Sequence, residues 1–133
     1  MPRNATDVFC TVHKNGTATF LARVIDNSGA PATRAAIAAV VYSIYLLDDQ
    51  DPDDWTAVAG QQQVSLDPAD VVFPALQRDM LWGRDSLGYN FRHQPEVTVN
   101  PAFATAGRRY LVQYTLTPVL GQPIQVRFRV NVI

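Results

Sequence analysis

The chain has 133 residues, of which 47% are hydrophobic and 17% are charged, and its formal net charge is −1. This length suits one domain with a single core over residues 1–133, and the composition excludes an intrinsically disordered chain. The small net charge excludes strong general attraction to nucleic acid or to an anionic membrane. Cys10 is the one cysteine, so an intramolecular disulfide is excluded as well.

The N-terminal residues lack the basic and apolar segments of a secretory signal. The longest apolar stretch, Ala35 to Leu47, is too short to cross a bilayer as a helix. We therefore expect synthesis in the cytoplasm without a signal peptide and no membrane partner.

The first part of the chain predicts a β-hairpin. Residues Val8 to His13 alternate weakly between apolar and polar, and the dipeptide Asn15-Gly16 that follows suits a two-residue turn. A strand from Thr17 to Ile25 comes next, and the turn-forming cluster from Asp26 to Pro31 ends it.

The segment from Ala35 to Leu47 is ambiguous. Its alanine-rich start after Thr33 favours a helix, whereas the β-branched and aromatic residues from Val40 to Tyr45 favour a strand. We interpret the segment as a strand, with a helix as the alternative. Apolar residues on both faces of that strand indicate a central position in a sheet.

The middle of the chain predicts short elements. An acidic loop runs from Asp48 to Asp54, and residues Trp55 to Ala59 and Gln63 to Leu66 then predict a hairpin around Gly60. A short helix is predicted near Asp67 to Phe73, because an aspartate followed by a proline is typical of a helix start.

The C-terminal stretch from Tyr110 to Ile133 predicts two long antiparallel strands. Apolar and polar side chains alternate along both, which is the period of a strand with one buried face. We predict that these strands supply the core between two sheets, through Tyr110, Val112, Tyr114, Val126, Phe128 and Val130.

Many short strands separated by glycine, proline and asparagine turns predict an all-β fold of about seven to nine strands. The run from Ala104 to Tyr114 reads ATAGRRYLVQY, and Gly121-Gln122-Pro123 and a valine-rich strand follow it. This run, together with FLARVIDNSGAP from Phe20 to Pro31, resembles immunoglobulin-like β-sandwich domains of bacterial surface and bacteriophage structural proteins. The resemblance implies an immunoglobulin-like β-sandwich in which Tyr110 forms a corner with the backbone. The paired cysteines of antibody domains are absent, and the middle of the chain departs from the family's pattern.

The acidic loop suggests a calcium site, because Asp49, Asp51 and Asp53 alternate as in a helix-loop-helix calcium loop. That motif fails, because a proline interrupts it, Asp54 stands where the loop needs glycine, and Gly60 stands where it needs glutamate. A looser oxygen cage between strands and a solvated loop remain open. We favour the solvated loop and predict no metal.

The sequence gives only weak indications of zinc binding or of nucleophilic catalysis. Cys10, His13 and His93 would supply few zinc ligands, since the first two point to opposite faces of one strand. Ser86 lies near Asp85, but it has no glycine-flanked elbow, and no phosphate-binding loop is present. We predict no cofactor and no enzymatic activity.

Aromatic residues concentrate between Trp82 and Phe91. Trp82, Tyr89 and Phe91, with Arg84 and Arg92 between and beside them, suggest a platform for sugars or bases. The alternative, which we favour, is that Tyr89 and Phe91 share one face of a strand and close the core.

Charge is divided unevenly along the chain, with −5 over residues 1–77 and +4 over residues 78–133. Such a division suits contacts between unlike surfaces of neighbouring molecules. The alternative, which we rate slightly ahead, is that both charged regions are solvated without a partner. The candidates for interaction are Asp49, Asp51, Asp53, Arg127, Arg129 and Trp82.

Three functions remain from these observations. The resemblance implies a non-enzymatic structural subunit of a virion or phage-tail-like assembly, such as a decoration, neck or tail component. Its partners would be other protein subunits, homo- or hetero-oligomeric, and nucleic acid is not expected. The alternative is a carbohydrate-binding or adhesion β-sandwich module, and a small enzyme comes third.

Overall fold

The computed structural model describes residues 7–26, 28–51, 53–79, 82 and 86–133. Strands form two sheets, with a 3₁₀ turn at Arg34–Ala36 and a helix, α1, at Pro68–Val71. The strands are β1 (Asp7–Val12), β2 (Phe20–Ala22), β3 (Ile37–Leu47), β4 (Trp55–Ala57), β5 (Val64–Leu66), β6 (Val72–Gln77), β7 (Tyr89–His93), β8 (Arg109–Pro118) and β9 (Ile124–Val132). The all-β prediction is confirmed.

The larger sheet has the order β1-β9-β8-β3-β4, with β5 also paired to β3. The smaller sheet has the order β2-β7-β6. Neighbouring strands are antiparallel except for β1, which runs parallel to β9. No helix in the described part of the chain is long and apolar enough to cross a membrane.

The predicted C-terminal hairpin is present as β8 and β9, with Tyr114 opposite Val126 and Val112 opposite Phe128. Alternation places the apolar side chains of both strands on one face, which the second sheet covers. All six residues predicted for the core are buried, at 5% exposure or less.

The ambiguous segment is a strand, as interpreted, because β3 covers Ile37–Leu47. Val40, Tyr42 and Ile44 are buried and alternate toward the second sheet. β3 pairs with β8 on one side and with β4 and β5 on the other, so the predicted central position is confirmed. The alanine-rich start forms only the short 3₁₀ turn.

The predicted hairpin around Asn15 is wrong, although its turn is present. Asn15 has φ of +62°, and the Gly16 N–H donates to the His13 carbonyl at 2.8 Å. The chain then crosses to the other sheet, because β1 bonds to the edge of β9 whereas β2 bonds to β7. Pairing β1 with β9 extends the larger sheet by one strand.

The predicted hairpin around Gly60 is also wrong. β4 and β5 each pair with β3, at its C-terminal and N-terminal halves respectively, and not with each other. The loop between them is held to the middle of β3, where the Ile44 N–H donates to the Gln61 carbonyl at 2.9 Å and the Val58 N–H donates to the Ile44 carbonyl at 3.0 Å.

The predicted short helix is present as α1. The Asp67 carboxylate caps it by accepting from the Ala69 N–H at 3.0 Å, and Pro68 occupies its first turn. The chain then continues as β6, which the sequence reading missed. Pro74 is accommodated there because the β6–β7 register shifts between Val72 and Gln77, a place where proline need not donate.

Aromatic rings join the two sheets. Phe20 of β2 lies 4.7 Å from Phe128 of β9, and Phe91 of β7 lies 4.8 Å from Tyr114 of β8, measured between ring centroids. Such tilted and edge-on pairs add to the free energy gained from burying the rings. The core therefore lies between the two sheets and is centred on Tyr114.

Two polar side chains fix the chain around this core. The buried Asn90 amide accepts from the Val24 N–H at 2.7 Å and donates to the carbonyls of Val24 and Ala32 at 3.0 and 2.8 Å. The Tyr110 hydroxyl accepts from the Thr105 N–H at 3.2 Å, five residues upstream. The predicted bond between Tyr110 and the preceding loop is confirmed.

Candidate interaction surface

The outer face of the larger sheet carries an apolar cluster of its own. In the strand register Tyr45, Leu111 and Arg129 lie side by side, and Leu47 lies opposite Trp55. Leu47 and Leu111 are buried although they face away from the core between the sheets. Larger side chains on this outer face therefore cover them.

Trp55 is the most exposed aromatic ring of this face, at 38%. The Trp55 ring centroid lies 5.3 Å from the Tyr45 ring centroid and 5.7 Å from the guanidinium carbon of Arg127. A guanidinium at this distance from an indole contributes about 0.5–1 kcal/mol at an exposed site. We call Tyr45, Trp55, Arg127 and Arg129 the Trp55 patch.

The acidic loop precedes Trp55 and is shaped by its own carboxylates. Asp48 accepts from the N–H groups of Gln50 and Asp51 at 2.8 and 3.0 Å, and Asp51 accepts from the Asp53 N–H at 3.1 Å. These are the local bonds by which aspartate favours turns. The two backbone bonds to Asp48 lower the pKa of its carboxyl group.

Asp49 is bound within the molecule. Its carboxylate lies 3.0 Å from Nε of Arg108, and Nη2 of Arg108 donates to the Leu47 carbonyl at 3.1 Å. These contacts hold the acidic loop against the end of β3. Asp51, Asp53 and Asp54 are exposed and take part in no ion pair among the residues that the structure describes.

Metal binding gains no support from this loop. Its ordered carboxylates accept from backbone N–H groups and do not converge. Within the described ranges, no group of three potential ligands among histidine, cysteine, aspartate and glutamate lies close enough to hold an ion.

The aromatic residues near Trp82 do not form an open platform. Tyr89 and Phe91 are buried, and Trp82 is half-buried with its ring centroid 5.7 Å from that of Tyr89. The Tyr89 hydroxyl donates to Asp79 at 2.7 Å, and burial followed by this carboxylate raises the pKa of Tyr89. The interpretation of Tyr89 and Phe91 as core residues is confirmed, and Arg84 lies outside the described residues.

The weak metal and nucleophile candidates are dispersed. His13 and Ser86 are exposed, whereas Cys10 is half-buried and its burial raises the pKa of the thiol to about 11. His93 Nδ1 lies 2.7 Å from the Tyr114 hydroxyl, and burial lowers the pKa of the ring to about 4. Asp85 lies outside the described residues, so the pairing of Ser86 with it stays untested.

The sequence reading missed Tyr45, Trp55 and Arg108 as parts of this surface. One signal was present, because Tyr45 and Trp55 flank the acidic loop and odd-numbered residues of β3 share the face opposite the core. Arg108 had no local signal, since its contact with Asp49 depends on the pairing of β3 with β8.

Comparisons with known proteins identify no relative of this chain. No protein-family model matches the chain, and neither the curated proteins nor the solved structures gave a significant match.

Proposed function

We propose that this chain is a non-enzymatic structural subunit of a virion or phage-tail-like assembly and that it acts through contacts with other protein subunits. The observation that carries the proposal is the Trp55 patch, where an exposed indole that directly follows the acidic loop contacts Arg127, on a sheet face that also carries Arg129. Tryptophan and arginine are the residue types most enriched in the energetic centres of protein interfaces.

An immunoglobulin-like β-sandwich is part of the proposal. The order β2-β7-β6 in one sheet and β9-β8-β3-β4 in the other supports it, because it corresponds to the order of strands in that family. The bond from the Thr105 N–H to the Tyr110 hydroxyl, at the start of β8, supports it further. The assignment to a virion or phage-tail-like assembly rests on the sequence resemblance alone.

The partner surface is the acidic loop of a neighbouring copy. Asp51, Asp53 and Asp54 project from the loop without an ion pair among the described residues, and Arg127 and Arg129 lie on the outer sheet face. An acidic loop on one copy that meets an arginine-bearing face on the next makes a heterologous contact, which closes into a ring or extends into a filament. Structural subunits of repeated particles need contacts of this type.

Sedimentation velocity of the purified full chain across a range of protein and salt concentrations tests the proposal. We expect species larger than a monomer at low salt and their loss at high salt, because salt screens exposed charges. Trp55→Ala and Arg129→Glu should each weaken this association, whereas the matched control Arg78→Glu, which changes an exposed arginine that follows β6 of the smaller sheet, should not. If the chain sediments as a monomer under all these conditions, the proposed contact between copies is wrong.

Carbohydrate binding is the second candidate, and the observation that favours it is the exposed Trp55 ring packed beside the half-buried Tyr45 ring. It ranks second because Arg127 and Tyr45 already occupy positions beside the indole ring. A glycan array probed with the wild-type chain and with Trp55→Ala separates the two functions. Glycan binding that Trp55→Ala abolishes would favour the carbohydrate function.

A further inference from the structure

The outer edge of the larger sheet at β1 is unprotected. Within the described residues, β1 is the end strand of that sheet and pairs only with β9, over six consecutive register positions without a shift. Proteins protect a sheet edge from pairing with another chain by means of prolines, lysines, bulges or very short strands. The stretch from Asp7 to Val12 contains no proline, lysine or glycine, so this edge lacks those protections.

Alternate residues of β1 direct their backbone groups away from β9. The Ile133 N–H donates to the Val12 carbonyl at 2.9 Å, and the Lys14 N–H donates to the Ile133 carbonyl at 2.8 Å, so the even-numbered residues of β1 bond to β9. Successive residues of a strand point their N–H and C=O groups to opposite sides. The N–H and C=O groups of Phe9 and Thr11 therefore face outward, and the described part of the chain offers them no hydrogen-bond partner.

The opposite edge of the larger sheet consists, among the described residues, of short strands. β4 and β5 have three residues each, and the loop between them bonds to Ile44 of β3. Short edge strands offer few bonds to an incoming strand. Two copies that extend the larger sheet must therefore use the same edge, β1 against β1, which is an isologous contact about a two-fold axis.

One antiparallel register uses the outward groups of both copies symmetrically. With Cys10 opposite Cys10 of the second copy, Phe9 of each copy lies opposite Thr11 of the other, and their outward groups make about four backbone hydrogen bonds. Asp7, the one charged residue of β1, then falls opposite His13, so no like charges are brought together. A shift of the register by two residues would leave either Asp7 or His13 without an opposite residue.

We propose that two copies of this chain pair antiparallel along β1, centred on Cys10, and so join their larger sheets into one continuous sheet. Edge pairing of two such strands buries little surface compared with the roughly 800 Å² per partner of a stable complex. The pair is therefore weak at micromolar concentration and forms where copies are held close together, as in an assembly. Because its bonds join neutral backbone groups, salt affects it little, in contrast to the contact through the Trp55 patch.

Oxidative cross-linking of the full chain at millimolar concentration tests the pairing, and high salt removes the contact between the acidic loop and the arginines. Opposite residues of a non-hydrogen-bonded antiparallel pair have Cα atoms about 4.5 Å apart, a distance that a disulfide spans. Diamide oxidises two Cys10 thiols to a disulfide and takes up their electrons and protons as it is reduced to a hydrazine. We expect a dimer linked through Cys10 on a non-reducing gel, and Trp55→Ala should form it as the wild type does.

Thr11→Pro blocks this edge and leaves the ladder to β9 in place. Proline removes an N–H that faces outward, which is the position at which an edge strand tolerates this residue. Thr11→Pro should lower the rate of dimer formation about tenfold or more, whereas the matched control Thr11→Val keeps the N–H and should react as the wild type does. Circular dichroism checks that both variants fold.

Amide hydrogen exchange followed by NMR gives a second measurement, which does not depend on the thiol. The amides of Phe9 and Thr11 should exchange more slowly as the protein concentration rises from micromolar to millimolar at high salt. Those of Cys10 and Val12, which face β9, should not change. The proposal is overturned if Phe9 and Thr11 exchange equally fast at both concentrations, or if Thr11→Pro is cross-linked as readily as Thr11→Val. Slower exchange without a dimer linked through Cys10 would overturn the assigned register.

Discussion

The Nδ1 atom of His93 in the smaller sheet lies 2.7 Å from the hydroxyl oxygen of Tyr114 in the larger sheet. This bond joins the two sheets through the core, and burial lowers the pKa of His93 to about 4 while it raises the pKa of Tyr114 well above its ordinary value. The pair is therefore neutral in the folded protein. Protonation of His93 therefore destabilises the folded protein relative to the unfolded chain.

The first prediction concerns stability at acid pH. The unfolded chain protonates His93 near pH 6.5, whereas the folded protein does so only near pH 4, so the contribution of His93 to stability is complete above pH 6.5 and is lost as pH falls toward 4. Allowing for its partial exposure, we expect a loss of about 1–2 kcal/mol at pH 5. Urea unfolding at pH 7 and pH 5 measures it. His93→Asn should reduce the pH dependence and His13→Asn should preserve it; equal dependence in both variants would contradict this account.

A second prediction concerns the Tyr110 corner. Tyr110→Phe removes the acceptor for the Thr105 N–H and should lower the free energy of unfolding by about 1 kcal/mol without unfolding the protein. The urea midpoint measures the change. Tyr45→Phe, on the outer face, is the control for removing a hydroxyl, and a midpoint that Tyr110→Phe leaves unchanged would reject the corner.

A third prediction concerns the core. Phe128→Ala removes a ring that contacts Phe20 and Tyr114 and should cost about 3–5 kcal/mol, because the closely packed rings around it cannot fill the cavity. Thermal melting of the variant measures it. Val119→Ala, at an exposed position of the β8–β9 turn, should melt close to the wild type. A Phe128→Ala protein that does the same would show that the core has been assigned to the wrong face.

Alternation and local turn chemistry were enough to predict several elements of the fold. They gave β8 and β9, the strand nature of β3, the cap at Asp67 and the burial of Tyr89 and Phe91. These elements depend on the period of two and on bonds within a few residues, which the sequence displays directly.

Long-range pairing could not be predicted in the same way. The turn at Asn15 and the loop at Gly60 occur where expected, yet the strands beside them pair with β9, β7 and β3. Which strand pairs with which depends on the whole sheet, and a turn residue carries no information about it. The contact of Arg108 with Asp49 was missed for this reason, and so was the place of β1 at the edge of the larger sheet.

A fourth prediction concerns Asn90. Asn90→Ala leaves the Val24 N–H and the carbonyls of Val24 and Ala32 without the amide that binds them, and it should cost about 1–3 kcal/mol. Hydrogen exchange of the Val24 amide should accelerate in the same variant. Asn131→Ala, at an exposed position of β9, is the control. Unchanged protection of Val24 in Asn90→Ala would contradict the role assigned to this amide.

The central claim is that copies associate through an acidic loop on one and an arginine-bearing face on the next, and mixing two charge-reversed chains tests it most directly. One double variant, Arg127→Glu/Arg129→Glu, retains the acidic loop and reverses the charge of the outer sheet face. The other, Asp51→Arg/Asp53→Arg, retains the arginines of that face and reverses the charge of the loop. We predict that each variant folds, as judged by circular dichroism, and sediments as a monomer. An equimolar mixture should associate again with the two variants alternating, because the acidic loop of the first variant meets the arginines of the second, and the reversed face of the first meets the reversed loop of the second. Two variants that stay monomeric when mixed, or that each associate as the wild type does, would contradict the account.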